Sequence, residues 1–113
     1  MLRNHKLYLD DILESINKIQ EYLGDSLFED LIRNGMKVDA IVRNLEIIGE
    51  ASKNISQELR DKYPFVEWKK ISDFRNILAH EYFKVDHEIM WDIIKNKIPE
   101  LQKQIKAIQE KEK

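Results

Sequence analysis

Apolar side chains recur every three or four residues along almost the whole chain, and this helical periodicity is the feature that most constrains the fold. Alternation with a period of two, which a half-buried strand requires, does not persist in any stretch. No segment repeats another. The pattern predicts an all-α bundle of four to five helices. The first helix covers residues 5–23 and ends at Gly24, with an apolar stripe of Leu9, Ile12, Ile16, Ile19 and Leu23.

A short second helix and a long third helix follow. The second is expected from about Leu27 to Arg33 and ends at the turn-forming pair Asn34-Gly35. The third is predicted to run from Val38 to about Lys62, because its apolar positions stay on one face at about 100° per residue. Those positions are Val38, Ile41, Val42, Leu45, Ile48, Ile55 and Leu59.

The long helix also carries a glycine and a polar stripe. Gly49 falls on the apolar face, where it costs about 1 kcal/mol of helix propensity but allows a neighbouring helix to approach closely. A second apolar strip predicts that partners cover this helix on two sides. The polar stripe between the two strips includes Arg43, Glu46 and Glu50. It is most simply a solvated face, and a role in orienting Arg75 is a second interpretation.

Two more helices are expected after Tyr63-Pro64, because proline and the residue before it both oppose continuation of a helix. The fourth contains Trp68 and the apolar positions that follow it, and Asp86 caps the fifth. Pro99 is predicted to kink the fifth helix. The final residues, KAIQEKEK, are expected to fray.

Composition narrows the class of protein. The 113 residues suffice for one domain, expected to span 1–113, and contain no cysteine, three glycines and two prolines. This excludes a disulfide scaffold, a cysteine-based zinc module and a glycine-rich nucleotide loop. Apolar runs are too short for a membrane span or a secretory signal, so a cytoplasmic protein without membrane contact is expected.

Charge is unevenly distributed. Residues 1–59 hold 7 basic and 11 acidic side chains, whereas residues 60–113 hold 12 basic and 10 acidic ones. The whole chain has a net charge of −2 and is therefore not a general nucleic-acid binder. Contacts with anions fit the second half better.

The segment FRNILAHEYF, residues 74–83, gathers Arg75, Asn76, His80 and Tyr82 in an otherwise aliphatic context. Arg75 and Tyr82 share a helical face, whereas residue 80 lies about 140° around an ideal helix from residue 75. Convergence of Arg75 and His80 therefore needs a helix that loosens near Ala79, an arginine side chain that bends around, or a histidine from a second subunit.

An arginine and a histidine together suit phosphodiester chemistry, since a guanidinium matches phosphate oxygens and an imidazole transfers protons near neutral pH. Without a metal, the nucleophile would be the 2′-OH of RNA. One such histidine per chain is awkward for two proton transfers. A two-fold homodimer would supply a second.

Each of these residues also has a structural interpretation. Arginine and asparagine near a helix end usually bind carbonyls or carboxylates, histidine often caps a helix, and tyrosine commonly packs with a wet hydroxyl. Metal binding by His80, His87 and the nearby carboxylates of Asp86 or Glu88 is disfavoured by poor helical pairing. No metal or cofactor is expected.

RNILAHEY, residues 75–82, resembles the R-x4-H-x-Y signature of HEPN ribonucleases, specifically the HepT toxins encoded beside a minimal nucleotidyltransferase antitoxin. The segments DDILESINKIQEYLGDS, DAIVRNLEIIGEASKNIS and YPFVEWKKISDFRNILAHEYFKVD are similar to the same family in the same order. The resemblance covers nearly the whole chain.

The resemblance implies an all-helical homodimer acting as a metal-independent endoribonuclease. Arg75 and His80 would be catalytic, and Asn76 would be the polar residue that usually follows the arginine. Tyr82 would receive AMP from the partner nucleotidyltransferase, and the added bulk and negative charge would block the RNA groove. The rival hypothesis is a non-catalytic module that binds a nucleotidyltransferase through the same surface. A purely structural bundle is a third.

Overall fold

The computed structural model describes residues 4–81 and 86–113, with side chains given outside residues 77–81. Every regular element in these ranges is helical, which confirms the predicted all-α class. The elements are α1 (His5–Leu23), α2 (Phe28–Ile32), α3 (Gly35–Lys53), α4 (Gln57–Lys62), α5 (Trp68–Glu81), α6 (His87–Asp92), a π-helical turn (Ile93–Lys97) and α7 (Ile98–Lys111).

Helix α1 has the bounds that its periodicity predicts. Asn4 caps its start, because the side-chain oxygen accepts a hydrogen bond from the Lys6 backbone N–H at 2.8 Å. Gly24 ends it with a φ of 50°, in the region that favours glycine. The whole predicted apolar stripe of α1 is buried.

The prediction of one helix from Val38 to about Lys62 is wrong, because the helix ends at Lys53 and a new helix begins at Gln57. The Asn54 N–H still bonds to carbonyls of the last turn of α3, and Ser56 then caps α4 by accepting from the Leu59 N–H at 3.2 Å. Ile55, which lies inside this break, and Leu59, which lies in α4, are both buried. The apolar periodicity therefore continues across a gap in the helix, so it gives no sign of the break.

The guanidinium of Arg60 ties the two helices together at the break. Its Nη2 donates to the Ser52 carbonyl at 2.7 Å and its Nε to the Ile55 carbonyl at 3.2 Å. The Ser52 carbonyl lies in the last turn of α3 and the Ile55 carbonyl lies just beyond it, where helical partners are missing. A side chain of α4 thus satisfies the end of α3.

The predicted fifth helix is also divided. Asp86 caps it as expected, since its carboxylate accepts from the N–H groups of Glu88 and Ile89. A π-helical turn then replaces α-helix just before Pro99, which stands in the first turn of α7. Proline has no N–H to donate to the preceding turn, so the irregularity falls where a kink was predicted.

The C-terminal end is anchored, so the expectation of fraying is wrong for most of KAIQEKEK. Helix α7 continues to Lys111, and Ile105 and Ile108 are fully buried. The Glu112 carboxylate accepts hydrogen bonds from Lys62 Nζ at 2.8 Å and from the Tyr63 hydroxyl.

The core is built around α3, on which both α1 and α5 pack, while α7 packs on α1. This arrangement agrees with the prediction that the long helix has partners on two sides. Within residues 4–81 and 86–113, no helix is both long enough and apolar enough to cross a membrane. The packing of α5 on α3 is what places the candidate site.

Candidate active site

Gly49 on α3 lies directly against Arg75 on α5. A Cβ atom built on Gly49 would overlap the Cβ of Arg75 and would lie 2.8 Å from its Cγ and 3.2 Å from its Cα. These separations are well inside ordinary carbon–carbon contact of about 3.5–4.0 Å. The glycine on the apolar face of α3 therefore does allow a close helix crossing, and the residue that it admits is Arg75.

The guanidinium of Arg75 reaches back to the next residue of α3. Its Nε lies 3.1 Å from Glu50 Oε2, and its Nη1 donates to Asn76 Oδ1 at 3.3 Å. The arginine side chain is 31% exposed and the glutamate side chain 48% exposed. Arg75 is thus held near the surface by one carboxylate and one amide.

Glu50 is the member of the predicted polar stripe that contacts Arg75. Glu46 is half-buried and Arg43 is exposed. Among the side chains that the structure describes, neither forms an ion pair or hydrogen bond with Arg75. The structure therefore brings together Arg75, Asn76 and Glu50 and leaves Glu46 and Arg43 apart from them.

The backbone of α5 excludes one of the three predicted routes by which Arg75 and His80 would converge, namely a helix that loosens between them. The α-helix runs unbroken from Trp68 to Glu81, so it does not loosen near Ala79. The backbone of His80 belongs to this regular helix, but its side chain lies outside the described part of the chain. Tyr82 also lies outside the described residues.

A groove beside α5 is a feature that the sequence did not predict. It has a volume of about 290 Å³ and opens between α5 and the segment formed by the π-helical turn and α7. Leu45 and Ile48 of α3 line it together with Phe74, the neighbour of Arg75. Helical spacing shows which residues of one helix share a face, but not how far two helices stand apart.

The predicted absence of a metal site is not decided by the structure. Within the described ranges, no group of three or more histidine, aspartate or glutamate side chains is placed to hold a metal ion. The side chain of His80 lies outside these ranges.

The all-helical architecture, with Arg75 of α5 held against α3 and a histidine five residues later in the sequence, matches the HEPN-type helical bundle that the sequence resemblance implies. The chain belongs to the HepT-like ribonuclease family. The model of that family, described as "Ribonuclease HepT-like", matches residues 12–108.

Curated relatives agree with this assignment. The chain is 43% identical over 112 residues to "Putative RNase TTE0752" of Caldanaerobacter subterraneus, covering 99% of this chain and 100% of that protein. It is 42% identical over 101 residues to "Probable ribonuclease HepT" of Thermococcus cleftensis, covering 89% of this chain and 92% of the relative.

A further relative is longer. "Gamma-glutamylcyclotransferase and putative RNase MJ0434" of Methanocaldococcus jannaschii is 42% identical over 110 residues, which are 97% of this chain but 50% of that protein. The chain thus spans half the length of this relative. No solved structure gives a significant match.

Proposed function

We propose that this chain is a metal-independent endoribonuclease that uses Arg75 and His80. The observation that carries the proposal is the Arg75 guanidinium, 31% exposed and fixed at one edge by Glu50, in a member of the HepT-like ribonuclease family. A guanidinium in this position offers planar N–H donors to phosphate oxygens.

The reaction follows from the two groups. His80 takes the proton of the RNA 2′-OH, and the resulting oxygen attacks the adjacent phosphorus. Arg75 offsets the negative charge that develops on the pentavalent phosphorane. The bond to the 5′-oxygen then breaks, and that oxygen receives a proton. The products are a 2′,3′-cyclic phosphate and a 5′-hydroxyl, and DNA, which lacks the 2′-OH, is not a substrate.

A homodimer supplies the second proton-transfer group. Because α5 is regular, residue 80 stands about 140° around the helix from residue 75. A histidine from a second copy, brought close by a two-fold axis, would complete the site around Arg75. The long arginine side chain bending around its own helix is the competing route, and Glu50 opposes it by holding Nε toward α3.

Control of the activity is assigned to Tyr82. In this proposal a minimal nucleotidyltransferase antitoxin transfers AMP from ATP to the tyrosine hydroxyl and releases pyrophosphate. The attached nucleotide adds bulk and a negative phosphate two residues after His80, so RNA is excluded by occupancy and repulsion. The chain would then be the toxin of a toxin–antitoxin pair.

Cleavage of RNA in EDTA tests the catalytic assignment. Unmodified wild-type protein is expected to cleave, and His80→Ala is expected to be inactive. Equal cleavage by both proteins would reject His80. Tight binding of a nucleotidyltransferase with no cleavage by the wild type would favour a non-catalytic binding module instead.

Mixing two inactive variants tests the shared site. If Arg75 of one protomer works with the histidine of the other, heterodimers of Arg75→Ala and His80→Ala contain one complete pair of Arg75 and His80. They are expected to regain part of the wild-type cleavage, because the second histidine is still missing. If both groups come from the same protomer, the mixture stays inactive.

The AMP acceptor is tested by intact mass after incubation with the nucleotidyltransferase and ATP. Wild-type protein is expected to gain the mass of AMP. An equal gain by Tyr82→Phe would exclude Tyr82 as the acceptor.

A further inference from the structure

We propose that Glu50 is a positioning residue for Arg75, which holds the guanidinium by its Nε so that its other edge faces the RNA phosphate. The inference rests on the proposed function, because it assumes that Arg75 acts on a phosphodiester. It starts from the 3.1 Å contact between Arg75 Nε and Glu50 Oε2.

The guanidinium has two edges with different partners. Glu50 occupies the edge that contains Nε, and Asn76 Oδ1 accepts from Nη1 at 3.3 Å. An arginine carries five N–H donors in one plane. Among the described residues, Nη2 has no hydrogen-bond partner, so the edge formed by Nη1 and Nη2 retains donors for a phosphate. Parallel donors of this kind match two phosphate oxygens.

Consecutive residues of α3 fix both ends of the arginine side chain. The Cβ of Arg75 lies so close to Gly49 that no side chain fits between them. The guanidinium is bound to Glu50, the next residue along α3. Without the carboxylate, the base of the side chain would remain in place, while Asn76 Oδ1 would be the one remaining partner of the guanidinium among the described residues.

A carboxylate beside a phosphate-binding arginine can also hinder RNA binding. Its negative charge repels RNA, so a Glu50 that served only as a surface charge would lower activity, and its removal would raise it. If Glu50 positions Arg75, its removal lowers kcat instead, because displacement of a catalytic group by about 1 Å can cost about 100-fold in rate. The sign of the change in kcat therefore separates the two roles.

The variants Glu50→Ala and Glu50→Gln test the proposal. In Glu50→Ala, kcat is expected to fall about tenfold or more while KM stays level or falls, since repulsion is removed. In Glu50→Gln, the side chain keeps an amide oxygen in the place of Oε2, where it offers Nε an acceptor, and kcat is expected to recover to within a few-fold of wild type. Equal or higher kcat in Glu50→Ala would overturn the positioning role.

Glu14→Ala is the matched control. Glu14 is an exposed carboxylate paired with Lys18 at 3.4 Å on α1, so its removal changes the net charge by the same amount. Its kcat and KM are expected to equal those of the wild type. The melting temperature of all three variants is expected to stay close to wild type, because exposed ion pairs contribute little stability. A large fall in melting temperature for Glu50→Ala alone would mark a structural role and overturn the proposal.

A measurement that does not need activity completes the test. The Nε–H resonance of Arg75, assigned by its loss in Arg75→Lys, is expected to exchange slowly in wild type and in Glu50→Gln and rapidly in Glu50→Ala. Rapid exchange in the wild type would overturn the inference even if RNA is cleaved. Slow exchange in a wild type that does not cleave RNA would instead reject the proposed function and leave the contact in place.

Discussion

Gly49 and Arg75 touch where α3 crosses α5, and the arginine occupies the space that any larger residue at position 49 would need. The atoms that meet there are the Cα, Cβ and Cγ of Arg75. They belong to the base of the side chain, which cannot swing away as a flexible tip can. The distance between α3 and α5 is therefore set at Arg75, the residue that is proposed to be catalytic.

Gly49→Ala is expected to lower both stability and RNA cleavage. Overpacking costs about 1–3 kcal/mol, whereas alanine returns about 1 kcal/mol of helix propensity, so a net loss is expected. Displacement of α5 would also move Arg75 away from Glu50. Urea unfolding and cleavage rates measure the two effects.

Gly35→Ala is the control for this substitution. Gly35 is the first residue of the same helix, and a Cβ placed there meets no atom within 4 Å. Its stability is expected to equal or exceed that of the wild type, with unchanged cleavage. Similar behaviour of the two alanine variants would contradict the close crossing at Gly49.

Ser56→Ala is expected to destabilise the protein by about 1 kcal/mol, the usual cost of losing an N-cap. The Ser56 hydroxyl accepts from the Leu59 N–H at the start of α4, so the loss also tests the break between α3 and α4. Ser56→Asp keeps an acceptor at the cap and is expected to unfold near the wild-type denaturant midpoint. If Ser56→Ala were neutral, α4 would not begin with this cap.

Glu112→Gln is expected to lower stability in a pH-dependent way. Hydrogen bonds from Lys62 and Tyr63 lower the pKa of Glu112 below its ordinary value of 4.5, so its contribution is lost as the pH falls through the folded pKa. The same contacts raise the pKa of Tyr63 above 10.0 and that of Lys62 above 10.5, so their contribution is lost as the pH rises.

The stability difference between wild type and Glu112→Gln should therefore be greatest between about pH 5 and pH 9 and shrink on either side. Urea unfolding at a series of pH values measures it. Glu110→Gln, in which the partner lost among the described residues is the exposed Lys113, is the matched control and should show a smaller difference. A difference that did not change with pH would mean that Glu112 is not held as a carboxylate by Lys62 and Tyr63.

The sequence predicts the helices and the buried faces because each depends on spacing within one element. The bounds of α1 and the cap at Asp86 follow from local chemistry. The break after Lys53 does not, because Ile55 and Leu59 keep the apolar rhythm across it. The anchoring of Glu112 was missed for another reason. Its partners lie about fifty residues earlier in the chain, where helical spacing gives no information.

For the candidate site, too, the sequence predicts the individual residues but not the contacts between helices. Gly49 was identified as a point of close approach and Arg75 as a phosphate-binding group, each from its own neighbourhood. The contact between them, and the selection of Glu50 rather than Glu46 as the partner of Arg75, depends on the register between two helices. The geometry of His80 and Tyr82 stays a prediction from the motif.

Cleavage by attack of the RNA 2′-OH, with Arg75 and without a metal ion, is tested most directly with two oligonucleotides. One is all RNA and the other has a single 2′-deoxy residue at the mapped cleavage position. Each is incubated with the unmodified protein in EDTA. We expect wild type, but not Arg75→Ala, to cut the RNA to a 2′,3′-cyclic phosphate and a 5′-hydroxyl, and we expect the deoxy substitution to abolish the cut. Cleavage at the deoxy position, or undiminished cleavage by Arg75→Ala, would contradict this mechanism.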